Sequence, residues 1–107
     1  MSDTRLIYMT AGSVDEARRI GSALVEERLA ACVNLVDGVR SLYQWQGAVA
    51  EGREVVLIAK TRADLVDRLT ARITGLHSYD CPCVVAVPID AGHSPFLAWI
   101  SQQTAAG

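Results

Sequence analysis

Four residues able to ligate a metal ion fall within seven positions of one another: His77, Asp80, Cys81 and Cys83, grouped around Pro82. An imidazole, a carboxylate and two thiols suit zinc or copper wherever their lone pairs converge on one point. Along an extended segment Cys81 and Cys83 share a face, but His77 is not obliged to join them. A Cys-x-Cys pair is also a less specific signature than paired Cys-x2-Cys motifs. His77 has a plain structural reading too, as a capping or hydrogen-bonded residue near the end of a helix, and His93, beside Gly92, reads as loop. A third cysteine, Cys32, follows Ala30-Ala31 at the start of a strand. It either packs as a small hydrophobe or presents a thiolate to a soft metal.

Covalent catalysis has less to build on. Cys81 or Cys83 near His77 is the only pairing of a nucleophile with a base. No Ser-His-Asp set stands out, no G-x-G-x-x-G or Walker loop is present, and no paired carboxylates occupy an acid-base setting. The sequence therefore predicts a protein that is not an enzyme.

The elements that must position these residues belong to a chain of 107 residues, enough for one domain spanning 1–107 and too short for two. Half the residues are apolar and 21% are charged, the balance of an ordered globular protein. A net charge of -2, with no run of Lys or Arg, predicts no binding to nucleic acid or to anionic lipid. The first residues, Met1-Ser2-Asp3-Thr4-Arg5, carry an acid and no basic leader region. No apolar run approaches the roughly 20 residues needed to span a bilayer, so the expected location is the cytoplasm. There the odd set of three cysteines is expected as free thiols, without a Cys81–Cys83 bridge.

Residues 5–10 read as a strand. Ser13-Val14-Asp15-Glu16 forms a capping box, and Ala17, Ile20, Gly21, Leu24 and Arg28 recur at helical steps until Leu29-Ala30-Ala31 closes the helix. A long strand over 32–45 carries a bend at Asp37-Gly38; Gly47 and Glu51-Gly52 offer turns; and 54–60 is the strongest strand in the chain, paired antiparallel with its predecessor. Thr61 is read as the N-cap of a second helix, assisted by Asp64, with Leu65, Leu69, Ile73 and Leu76 on its buried stripe. Residues 83–89 make a fourth strand, and Ser94, read as an N-cap followed by Pro95 at the first helical position, opens a last helix that ends near Gln103. The order β-α-β-β-α-β-α is that of an α+β, ferredoxin-like β-α-β-β-α-β sandwich with a C-terminal helix.

Helices in that arrangement cover one face of the sheet. Apolar residues nevertheless populate both faces of the first strand (Leu6, Ile7, Tyr8, Met9) and of the third (Val55, Val56, Leu57, Ile58). A monomer would expose more apolar surface than soluble monomers tolerate, so self-association is expected; periodicity leaves dimer and trimer both open.

Glu26-Glu27-Arg28-Leu29-Ala30-Ala31-Cys32-Val33-Asn34, then Ser41-Leu42-Tyr43-Gln44-Trp45-Gln46-Gly47, then residues 55–61 follow in an order and spacing that closely resemble the CutA divalent-cation tolerance family. The likeness continues through His77-Ser78-Tyr79-Asp80, where the family usually shows His-Pro-Tyr-Glu, through Val87-Pro88-Ile89, and into Phe96-Leu97-Ala98-Trp99-Ile100. The resemblance implies a ferredoxin-like protomer in a compact homotrimer and a link to divalent metal ions, copper above all, with no obligatory cofactor. It also implies a shape like that of the PII signalling trimers, which hold ligands in clefts between subunits. Tyr43, Trp45, Lys60, Tyr79 and Trp99 resemble the residues of such a cleft, although aromatics with polar tips equally suit oligomer packing. Cys32 matches the cysteine of the family's Ala-Ala-Cys motif.

The chain departs from the pattern where the family usually reads Val-Pro-Glu and this sequence has Cys81-Pro82-Cys83. Thiol in place of carboxylate moves the expected preference toward soft cations such as Cu(I). Two functions are therefore expected as alternatives: metal binding through Cys32, His77, Asp80, Cys81 and Cys83, or a PII-like trimeric scaffold with a small ligand between subunits.

Overall fold

Along β3, every odd-numbered residue from Val55 to Thr61 is buried, while Ile58 and Lys60 on the opposite side are only partly covered. That two-residue period marks a strand with a core on one face. The structure, a computed structural model, describes residues 3–105, so the reading drawn from Met1 and Ser2 lies outside the described residues. The elements run β1 (Thr4–Ala11), α1 (Val14–Glu26), β2 (Cys32–Trp45), β3 (Ala48–Arg62), a 3-10 turn (Ala63–Leu65), α2 (Val66–Leu76), β4 (Val84–Pro88) and α3 (Ser94–Gln103). The four strands form one antiparallel sheet in the order β2-β3-β1-β4, the ferredoxin-like topology that the element order predicts.

One face of this sheet carries Ile7, Met9 and Ala11 from β1 and Val55, Leu57 and Ala59 from β3. Onto it pack Ala17, Ile20 and Leu24 of α1 and Leu69 and Ile73 of α2. Ser13 caps α1 as expected, accepting the Glu16 N–H at 3.1 Å on its hydroxyl. The helix stops two residues earlier than its apolar stripe predicts. Arg28 turns left-handed (φ 58) and is exposed, while its N–H donates to the Val25 carbonyl and that of Leu29 to the Leu24 carbonyl. This Schellman closure turns Leu29 and Ala30 back into the core.

Three sequence expectations give way. Glu51-Gly52 is not a turn: both residues sit in β3, opposite Leu42 and Ser41. The hairpin reverses at Gln46-Gly47, both with positive φ (51 and 82), the pairing that a two-residue type I′ turn demands. Thr61 is not an N-cap either. It lies in β3, fully buried, and its hydroxyl donates to the Leu29 carbonyl at 2.6 Å; a 3-10 turn then separates the strand from α2. In α3, Ser94 is the first helical residue and His93 precedes it without a side-chain cap.

β1 ends opposite Val55, so the β2–β3 hairpin continues beyond it as a two-stranded arm. The expected bulge is present between Val36 and Val39. It inserts one extra residue in β2 and so exchanges the faces: Cys32, Asn34 and Val36 before it share a side with Val39, Ser41, Tyr43 and Trp45 after it. That side, away from the main core, also carries Tyr8, Val85 and Val87, all exposed. α3 packs on β3 and β1 and buries Ile100 outside the main cluster.

Candidate functional site

The chemistry-bearing side chains gather where β1 ends, α1 begins and the segment between α2 and β4 passes over both. Glu16 is the anchor. Its carboxylate does not close the capping box on Ser13; one oxygen accepts the Gly12 N–H at 3.2 Å and the other the Ser78 N–H at 2.7 Å. Burial pushes the Glu16 carboxyl up, but the hydroxyl and N–H of Ser78, the Gly12 N–H and the nearby His77 outweigh it and hold the group below the usual carboxylate range. A side chain of the first helix thereby fixes the loop that carries His77 and Tyr79.

His77 caps the end of α2 and is almost wholly enclosed, its side chain 1% exposed. Nε2 lies 2.7 Å from the Thr10 carbonyl and Nδ1 accepts the Tyr79 N–H at 3.0 Å, so both ring nitrogens are engaged within the chain and Nε2 carries the proton in that network. The ring lies 4.6 Å from that of Tyr79. Tyr79 in turn donates its hydroxyl to Glu54 at 3.0 Å. Burial, the hydrogen bond to Glu54 and the nearby negative charges of Glu54 and Glu16 push the Tyr79 phenol up to about 12. Burial and the Glu54 carboxylate also push the Cys83 thiol up. Tyr43 stands beside this group, its hydroxyl directed at the Gly52 backbone, 3.5 Å from where a Cβ would stand.

The expected metal ligands are not brought together. Among the described residues no group of three or more His, Cys, Asp or Glu side chains is placed to hold a metal ion. Cys32 stands opposite Lys60 on the β2–β3 ladder, several residue pairs from His77, whose partner Thr10 lies opposite Val56. Asp80 and Cys81 are exposed on the loop, Cys83 is partly buried beside Glu54, and all three cysteines are free thiols.

The expected cleft residues are divided as well. Tyr79 bonds Glu54 and Tyr43 lies against Gly52 two residues along the same strand, whereas Lys60 bonds the Asn34 side chain at one end of the hairpin and Trp45, exposed, faces Ala48 at the other. At about 3.3 Å per residue, Ala48, Glu54 and Lys60 follow one another along β3 at intervals of roughly 20 Å. Trp99 sits on α3, stacked on Phe96 with ring centroids 5.5 Å apart. Sequence reasoning passed over Glu16 and Glu54. In the sequence the first reads as half of a capping box, and the only sign of the second is a charged residue opening an otherwise apolar strand.

The CutA1 family profile, described as that of the CutA1 divalent ion tolerance protein, matches residues 5–103. The chain belongs to the CutA1 family. It is 44% identical over 99 residues to the divalent-cation tolerance protein CutA of Thermus thermophilus, spanning 92% of this chain and 96% of that one. It is 38% identical to the chloroplastic protein CutA of Arabidopsis thaliana, again over 92% of this chain but only 54% of the longer plant protein. The fold agrees at the level of coordinates: the crystal structure of CutA from Xylella fastidiosa superposes with a TM-score of 0.95 at 38% identity, covering 97% of this chain and 100% of that one. The family and its Thermus thermophilus member are named for tolerance of divalent cations, not for a reaction. In this CutA1 chain no helix among the described residues is long and apolar enough to cross a membrane.

Proposed function

We propose that this CutA1 chain acts in tolerance of divalent and soft metal cations as a cytoplasmic homotrimer, with its cation sites assembled between subunits. The observation that carries the reading is the division of the site. Ligands and cleft residues lie in successive patches roughly 20 Å apart along one strand, about 40 Å from first to last, largely on the sheet face where Tyr8, Val36, Val85 and Val87 are exposed. Packing chains through that face covers the apolar residues and carries Cys81, Cys83 and Glu54 of one copy toward Cys32, Lys60 and the arm of the next. β2 supports the same reading as a long edge strand, since an uncovered edge invites pairing with another chain. Of the available donors, the Cys81 and Cys83 thiols favour Cu(I) or another thiophilic ion, and His77 contributes by holding the loop in place. No catalytic step is assigned.

A second reading has its own observation. Tyr79 bonds Glu54 and Tyr43 lies against Gly52, two residues along the same strand, so polar-tipped aromatics stand together in a way that suits a small organic ligand of the PII kind. Anaerobic Cu(I) titration against a competing chelator, run beside light-scattering mass determination, separates the two. A trimer that binds copper stoichiometrically, and loses it when Cys81 and Cys83 are replaced by serine, supports the metal reading. A trimer that fails to compete for copper leaves the ligand cleft. A monomer at all concentrations overturns both.

A further inference from the structure

The bulge in β2 holds reactive groups of its own. Between Val36, opposite Val56, and Val39, opposite Glu54, the strand places Asp37 and Gly38 against the single Val55 of β3. Both residues are exposed, and β2 is an edge of the sheet. Neither has a partner of its own in the ladder register, and the Gly38 N–H donates instead to Oδ1 of the preceding Asp37, at 2.7 Å. The carboxyl carbon is one C–O bond from that oxygen. The Gly38 nitrogen therefore stands beside Cγ of Asp37, in the arrangement from which a five-membered ring closes.

Two neighbours favour that closure. Gly38 is left-handed (φ 76) and has no Cβ to obstruct the approach. The nearest group beyond its chain neighbours is the Arg53 guanidinium, with Nη2 3.8 Å from where a Cβ would stand. A cation there stabilises the negative charge that collects on the nitrogen and the carboxyl oxygens as the new bond forms.

We propose that Asp37-Gly38 is a site of self-modification, where the folded bulge promotes cyclisation to a succinimide and its opening to isoaspartate. In the first step the Gly38 nitrogen attacks Asp37 Cγ and an N–C bond forms. One C–O bond of the carboxyl breaks, and the oxygen leaves as water with the amide proton and one more from solvent. In the second step water adds to a carbonyl of the ring. Attack at the main-chain carbonyl of Asp37 breaks its bond to the Gly38 nitrogen and leaves the chain running through Cβ and Cγ as isoaspartate; attack at Cγ returns aspartate. No oxidant, metal or second chain takes part. The fold contributes by holding the nitrogen and the carboxyl together, an arrangement that an unfolded chain visits only in passing. The product has one more backbone atom at the point where β2 exchanges its faces, and it carries a free α-carboxylate. That carboxylate is the group an isoaspartyl methyltransferase esterifies, with a methyl group taken from a sulfonium donor.

Ageing the folded protein beside a synthetic peptide of residues 29–40, the fragment that trypsin releases between Arg28 and Arg40, tests the proposal. Both are held at neutral pH and physiological temperature, and the fragment is followed by chromatography and mass spectrometry. The succinimide is one water lighter than the starting fragment. Isoaspartate has the same mass at a new retention time and accepts labelled methyl groups from S-adenosylmethionine in the presence of isoaspartyl methyltransferase. The folded chain is expected to accumulate isoaspartate roughly tenfold faster than the peptide. Arg53→Gln should bring the folded rate down toward that of the peptide, and Asp37→Glu, which would have to close a larger ring, should abolish the product. A folded chain that modifies no faster than the peptide overturns the proposal, since the bulge would then shield the bond. A folded rate unchanged by Arg53→Gln overturns the part given to the guanidinium.

Discussion

Replacing Glu16 by alanine tests whether a single carboxylate holds the site loop to the first helix. The wild-type side chain is buried and accepts two backbone N–H bonds, from Gly12 at 3.2 Å and Ser78 at 2.7 Å. Hydrogen bonds to a charged group contribute about 1.5–3 kcal/mol each. The alanine leaves both donors without this acceptor, and water entering the vacated space recovers part of the loss, so the expected cost is about 2–4 kcal/mol. Glu16→Gln keeps one acceptor oxygen and turns an amide toward the other donor, and should cost about half as much. The carboxyl is held below its ordinary value in the folded protein. Its contribution is therefore fully present above the unfolded-state value and is lost as pH falls through the folded one. Urea unfolding at one fixed protein concentration, from neutral pH down into the acid range, measures both effects. The parent should weaken on acidification, and the part of that weakening due to Glu16 should be missing from Glu16→Gln. A Glu16→Ala variant within about 0.5 kcal/mol of the parent, the scatter of ordinary surface substitutions, with the same acid sensitivity, would refute the pinning role.

Two further outcomes follow from the same network and from the core. Ultraviolet titration should show one of the three tyrosines ionising near 12, lost in Tyr79→Phe and moved down in Glu54→Gln; an unchanged curve in Glu54→Gln would mean that the carboxylate does not govern the phenol. Thr61→Val, nearly isosteric, should cost about 1–3 kcal/mol in urea unfolding because it strands the buried Leu29 carbonyl, whereas an N-cap role at Thr61 would instead shorten α2 and lower its helical circular dichroism.

Much of the fold was legible because its signals are local. The alternation around Leu57, the stripe of Ala17, Ile20 and Leu24, and the Asp37-Gly38 irregularity each report a backbone period or break within a few residues. Errors fell where a local signal had two physical uses. Thr61 has the chemistry of an N-cap and equally that of a buried hydroxyl bonded to a carbonyl 32 positions away. Glu51-Gly52 looks like a turn until its cross-strand partners Leu42 and Ser41 are known. The candidate site was harder still. His77, Asp80, Cys81 and Cys83 are neighbours in sequence, but the ring nitrogens of His77 turn inward to Thr10 and Tyr79 while Asp80 and Cys81 turn outward.

The sequence by itself determined the element order, the apolar character of both sheet faces and the family pattern, because burial period, capping chemistry and turn residues act over a few positions. Only the tertiary structure decided which polar groups meet. Glu16 with Ser78, Tyr79 with Glu54 and Thr61 with Leu29 are contacts between residues 25 to 62 positions apart. No period along the chain encodes them; the register of the sheet and the path of the loop over it do.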